Sequence, residues 1–126
     1  SAICQHDLKG GNVFEPTFCE YVRNQKRIGL TSKTSKFVLS ELARRGGFNA
    51  RDKSIIADPN ADIGTGMSLR GLQCAFGADV TIVSRGFYGR QHHWQVRLYD
   101  DYYSSINFAY LEGDGSKLGM VVTGWN

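Results

Sequence analysis

The chain has 126 residues, 15 basic against 12 acidic side chains for a net charge of +3, and 41% apolar residues, which is about one domain by length. That apolar share lets a chain of this size hide roughly two thirds of its unfolded surface, which excludes disorder for most of its length. No apolar run approaches the about eighteen residues of a membrane-spanning helix, and the small, dispersed charge excess is not the dense footprint of a dedicated nucleic-acid-binding domain.

Residues 1–15, with Gly10-Gly11-Asn12, keep no sustained period and are expected to form an arm or loop. The opening Ser1-Ala2-Ile3-Cys4-Gln5-His6 lacks the basic and apolar regions of a signal peptide, so the chain reads as soluble and either cytosolic or already processed. Pro16 suits a first helical turn, because its missing N–H would have no partner there. Phe18, Tyr21, Val22 and Ile28 follow at near-helical spacing and predict a helix over 16–27, ended by Gly29. A second helix is expected from a cap at Thr34 or Ser35 through an apolar face of Phe37, Val38, Leu39 and Leu42. Arg44-Arg45 favour its negative end before Gly46-Gly47.

From 48 to 77 the pattern weakens. Turn chemistry at Asp58-Pro59-Asn60 and Gly64-Thr65-Gly66 flanks one apolar step at Ile55-Ile56, and the stretch is expected to be loop-rich, with one strand or short helix near 68–75. A long irregular stretch inside a compact domain is either functional or misread. Beyond Gly77 the period changes to two. Val80, Ile82 and Ser84 alternate with Thr81, Val83 and Arg85, and His92, Trp94, Val96 and Leu98 alternate with His93, Gln95, Arg97 and Tyr99. That is an antiparallel hairpin with one apolar and one polar face. Ser104 or Ser105 is expected to cap a short helix carrying Ile106, Ala109 and Tyr110 and stopping at Gly113, and a last strand is expected over 118–125. The sum is a single α+β domain over 1–126, with N-terminal helices packed on a small antiparallel sheet formed mainly by the C-terminal half.

Three cysteines, at 4, 19 and 74, are too few for a disulfide scaffold or a zinc site; one bridge plus a free thiol and three thiols both stay open. Cys19 falls in the first turn of the expected helix, where unpaired N–H groups favour a thiolate. A cysteine there, with His92 or His93 on a later strand and Asp100 or Asp101 to orient the ring, has the layout of papain-like amidases and proteases. The competing reading is a buried, inert cysteine. Alternation sends His92 and His93 to opposite strand faces, so one regular strand cannot bring both to one site. His93 shares its face with Gln95, Arg97 and Tyr99, a row able to hold an anion and move a proton, unless it is simply a solvated sheet face. Asp58-Pro59-Asn60-Ala61-Asp62-Ile63-Gly64 has oxygen ligands at alternate positions, but Ile63 and Leu69 stand where a calcium loop needs glycine and glutamate, so it reads as a turn cluster. Glu112-Gly113-Asp114-Gly115 likewise reads as a loop. Trp94, Tyr99, Tyr102, Tyr103, Tyr110 and Trp125 offer flat rings on which a sugar would stack. No cofactor or metal is expected.

Two stretches carry a likeness to known families. Cys19-Glu20-Tyr21-Val22 is similar to the cysteine helix of cell-wall amidases, although the Gly-His start usual for their histidine strand is missing. Ala78-Asp79-Val80-Thr81-Ile82, Trp94-Gln95-Val96-Arg97-Leu98-Tyr99-Asp100-Asp101-Tyr102 and the ending Gly119-Met120-Val121-Val122-Thr123-Gly124-Trp125 resemble C-terminal domains of bacterial polymorphic toxins and secreted effectors. Tyr103 stands where those domains carry a second acid. The resemblance covers residues 78–126. It implies a secreted or translocated module at the end of a longer polypeptide, aimed at a competitor's envelope or nucleic acid and paired with a cognate immunity protein; it carries over no catalytic residue.

The leading expectation is therefore a hydrolase acting on a cell-envelope polymer such as peptidoglycan, with Cys19 as nucleophile, His93 or His92 as base and Asp100 or Asp101 as orienter. The second is a non-catalytic module or inhibitor that docks a glycan or a protein around Trp94, Arg97, Tyr99 and Tyr102. The third is a metal-independent ribonuclease using His93 and Arg97, with nucleic acid ranked below the envelope polymer.

Overall fold

The computed structural model describes residues 11–25, 29–45, 47–61, 63–76, 80–98 and 108–126. Within them four helices precede four strands: α1 (Gly11–Gln25), α2 (Lys33–Arg44), α3 (Ala50–Ala57), α4 (Leu69–Phe76), β1 (Thr81–Tyr88), β2 (Gln91–Arg97), β3 (Phe108–Gly113) and β4 (Met120–Trp125). The strands form one antiparallel sheet in chain order, β1-β2-β3-β4. The fold is α+β, helices first and sheet second.

Each helix buries one stripe. In α1, Phe18, Cys19 and Val22 are buried, and the Tyr21 hydroxyl meets Ser35 Oγ on α2 at 3.0 Å. The helix begins at Gly11, so residues 11–15 are helical rather than an arm, and Pro16 is not at the start. In α2, Ser35, Val38, Leu39 and Leu42 are buried at i, i+3, i+4 and i+7 spacing. Its cap is Ser32, whose hydroxyl accepts from the Ser35 amide at 3.1 Å. Thr34 and Ser35, the expected alternatives for the cap, both lie within the helix, Ser35 in its buried face.

In the stretch from 48 to 77, α4 is the short helix expected near 68–75, and α3 stands where loop was expected. Asn49 and Asp52 form a reciprocal capping box that starts α3, and Ile55-Ile56 are its buried face. The fully buried Asp52 carboxylate reaches further. It accepts from the Asn49 amide at 2.9 Å, the Ser68 amide at 2.8 Å and the Ser68 hydroxyl at 2.5 Å, while Ser68 Oγ accepts from the Gly71 amide at 2.9 Å. One carboxylate thus organises the N-termini of α3 and α4, where negative charge is favoured. Asp58 does hold a turn, accepting from the Asn60 amide at 2.8 Å.

Val96, Ala109, Leu111, Met120 and Val122 are the sheet's buried contribution to the core shared with the helices. The expected helix ending at Gly113 is, over 108–113, strand β3. Ala109 and Leu111 are buried while Tyr110 is exposed, a period of two supported by ladders to β2 and β4 on either side. The expected cap at Ser104 or Ser105 lies outside the described residues. The outer edge of β4 is engaged by the segment before α4, with Gly66 donating to the Val122 carbonyl and Val122 to the Met67 carbonyl, each at 2.8 Å. No strand among the described residues pairs with the outer edge of β1.

Candidate functional site on the hairpin

The expected nucleophile is not available. Cys19 is the ninth residue of α1 counted from Gly11, not a first-turn residue, and its sulfur is bonded to Cys74 of α4. Both cysteines are buried, at 4% and 2% exposure. A disulfide sulfur offers no thiolate to attack a carbonyl, so the thiol–imidazole arrangement is corrected to a structural staple between α1 and α4. Arg23 reinforces the same junction by donating to the Cys74 carbonyl at 2.8 Å.

The β1–β2 hairpin carries the candidate site. Its two-residue tip has both central residues in the left-handed region, Gly89 at φ 59° and Arg90 at φ 65°, as a tight hairpin turn with the strands' own twist requires. Glycine takes that conformation freely; arginine pays about 1 kcal/mol for it. Every residue from Val83 to Gln91 is exposed. An antiparallel sheet ordinarily covers one face with its core, so this end of the hairpin is uncovered on both. It also carries large apolar groups, with Phe87 65% and Tyr88 66% exposed. Between residues 80 and 97 stand Arg85, Arg90, Arg97, His92 and His93, and no acidic residue.

Alternation sends the histidines to opposite faces, as expected. On the outer face, His93 lies beside Glu112 of β3, its register partner, with Nδ1 3.3 Å from the Glu112 carboxylate. Its Nε2 is 3.2 Å from the Tyr88 carbonyl. The Tyr88 ring stacks flat on the imidazole, centroids 3.6 Å apart and planes within 3°. Three contacts from two residues, Glu112 and Tyr88, therefore fix the ring in place and plane. An open cleft of about 330 Å³ surrounds the pair, bordered by Arg85, Gln95, Tyr110 and Thr123. On the other face, His92 packs edge-on against Phe87 and Trp94, at 4.9 and 6.2 Å. The Arg85 guanidinium lies 5.2 Å from the Trp94 ring centroid, in reach of a cation–π attraction. Beyond His92, Asp114 accepts from the Ser116 hydroxyl and amide, which hold its carboxyl below the usual range, with His92 adding a smaller pull.

The structure thus unites His93 with Glu112 and Tyr88 on one face and Trp94 with His92, Phe87 and Arg85 on the other; Glu112, Tyr88, Phe87 and Arg85 were not assigned to a site from the sequence. Arg97 follows on the strand bearing His93 and is exposed. Asp100, Asp101, Tyr99 and Tyr102 lie outside the described residues. Glu112 was obscured by its Gly-Asp-Gly neighbours. The usable signal was the alternation of Ala109 and Leu111 with Tyr110 and Glu112, which sends Glu112 to the polar face. Comparisons of this chain with protein-family models, curated proteins and solved structures find no match.

Proposed function

We propose that this chain is a binding module whose exposed hairpin docks a single-stranded anionic polymer with flat rings, namely RNA. The observation that carries this reading is a hairpin end uncovered on both faces, bearing aromatic rings and cations with no acid between 80 and 97. Rings such as Tyr88, Phe87 and Trp94 stack on bases irrespective of sequence, and guanidinium groups such as Arg85 and Arg90 pair with phosphates. The overall charge of +3 understates the hairpin itself, whose stretch from 80 to 97 has three arginines and no acid; Glu112 and Asp114 approach it from the neighbouring strand and loop. Arg90 held at positive φ supports the same reading, since glycine would serve the turn better. The buried disulfide fits maturation in an oxidising compartment, and so fits the secreted or translocated setting implied by the effector resemblance.

The test is a tryptophan-fluorescence titration with a single-stranded oligoribonucleotide over a salt series. Two phosphate contacts from Arg85 and Arg90 predict a log–log salt slope of about −1.4, lost in the Arg85→Ala/Arg90→Ala variant. A peptidoglycan fragment that saturates the same signal, where the oligonucleotide does not, would replace this reading with a glycan-docking one, since aromatic faces also stack on sugars.

A further inference from the structure

We infer that the His93–Glu112 pair cleaves the docked RNA without a metal ion, an activity that rests on the docking reading and assigns chemistry to its outer face. Two proton-transfer groups of different kinds stand side by side in an open cleft, with His93 Nδ1 3.3 Å from Glu112 Oε1. The Glu112 side chain is 41% exposed and that of His93 19%, so the carboxylate reaches solvent while the ring is held by its neighbours. Tyr88 stacks on the imidazole and its carbonyl faces Nε2. A doubly protonated ring therefore has an acceptor for each N–H: the carboxylate for one, the carbonyl for the other. That is the arrangement of a positioned general acid beside a general base. Arg85 also borders this cleft, while its guanidinium rests over Trp94 on the hairpin's other face.

RNA provides a nucleophile of its own. Glu112 takes the proton of a ribose 2′-hydroxyl as that oxygen bonds to the adjacent phosphorus. The bond from phosphorus to the 5′-oxygen breaks, and the departing oxygen keeps the electron pair and receives the Nε2 proton of His93, displacing the Tyr88 carbonyl as its acceptor. The products are a 2′,3′-cyclic phosphate and a free 5′-hydroxyl. Glu112 then releases its proton to solvent and the neutral imidazole takes one up from solvent at Nε2, which restores the starting state. No oxidant, metal or cofactor enters the balance.

The experiment incubates the full chain in EDTA with a single-stranded oligoribonucleotide and, separately, with the same sequence lacking every 2′-hydroxyl. Binding is followed by fluorescence and products by mass spectrometry. Expected are binding of both oligonucleotides and cleavage of the ribose form alone, to cyclic-phosphate and 5′-hydroxyl ends. His93→Gln and Glu112→Gln should each cut the rate by about 100-fold or more while leaving affinity within about threefold and melting temperature near that of the parent. The bell-shaped pH profile of the parent should lose one limb in each variant, which a merely structural role would not produce. Intact RNA under conditions where binding is saturated overturns the catalytic inference and leaves docking standing. Failure to bind either oligonucleotide overturns both. Equal cleavage by parent and both variants assigns the activity to another agent and removes it from this pair.

Discussion

Opening the bond between Cys19 and Cys74 is the most informative perturbation of the fold, because it joins residues 55 apart in sequence and ties α1 to α4. In the chain-entropy account, a closed loop of that length lowers the entropy of the unfolded chain enough to contribute about 4 kcal/mol. Both sulfurs are buried, so replacing the pair by alanine adds a small packing loss of about 1 kcal/mol. For a chain of 126 residues the unfolding entropy is about 0.26 kcal/mol/K, so a loss of 4 kcal/mol lowers the midpoint by about 15 °C. The assay is thermal unfolding by circular dichroism of the parent, the parent with reductant, and Cys19→Ala/Cys74→Ala. A drop of less than about 4 °C in both reduced parent and variant would show that α1 and α4 are held by packing alone and that the loop argument does not apply here. Assayed below its own midpoint, the alanine pair should retain RNA binding and cleavage. Loss of activity in a folded alanine pair would return sulfur to the chemistry.

Other expectations follow from single contacts. Arg90→Gly should raise stability by about 0.5–1 kcal/mol by relieving the left-handed backbone and weaken RNA binding, a pair of effects read by denaturant midpoint and fluorescence titration. Ser32→Ala removes the cap of α2 and should cost about 1 kcal/mol in the same denaturation assay; no change would mean that the Ser35 amide finds another acceptor. Burial raises the Asp52 carboxyl above its ordinary range, against the lowering effect of its Ser68 and Asn49 hydrogen bonds. A raised folded value means that the stability linked to protonated Asp52 is complete below the unfolded pKa and is lost as pH rises through the folded one. Asp52→Asn turns an N–H group toward the Asn49 amide or Ser68 hydroxyl and should cost about 1–3 kcal/mol. Its deficit should shrink as pH rises through and above the ordinary carboxylate range, and a deficit that grows over that rise contradicts the assignment. Gly71→Ala would set a methyl group on the Asp52 carboxylate, and should disrupt the α3–α4 junction more than Ser32→Ala disturbs α2.

The hairpin and α2 were legible because each follows one period over many residues. Val96 and Leu98 face the core as the alternation of β2 requires, and Val38, Leu39 and Leu42 form a single helical stripe. α3 was missed because its eight residues offer only Ile55 and Ile56 as a buried apolar pair. The readable cue was the Asn49–Asp52 capping box, a polar signal rather than a hydrophobic one. β3 was read as a helix because Ile106, Ala109 and Tyr110 fit a helical spacing while Ala109 and Leu111 fit a strand. Pairing on both sides decides between them, and partners distant in sequence do not register in a local period. Cys19 illustrates the same limit. Its location on a helix was foreseeable, but the bond to Cys74 depends on how two helices meet, and that same packing, not the residue type, removed the expected nucleophile.

The unequal treatment of the two sheet borders sets how the protein behaves in concentrated solution. Where one border is stitched to Gly66 and Met67, the other, with which no strand among the described residues pairs, presents the edge of a strand rich in Val83, Phe87 and Tyr88, the ingredients of fibre growth by strand addition. Arg85, midway along that strand, is the charge that discourages a second molecule from stacking there. Exchanging it for an apolar residue should turn a dispersed protein into one that precipitates as its concentration rises, so the guanidinium proposed to meet a phosphate would also keep the molecules apart.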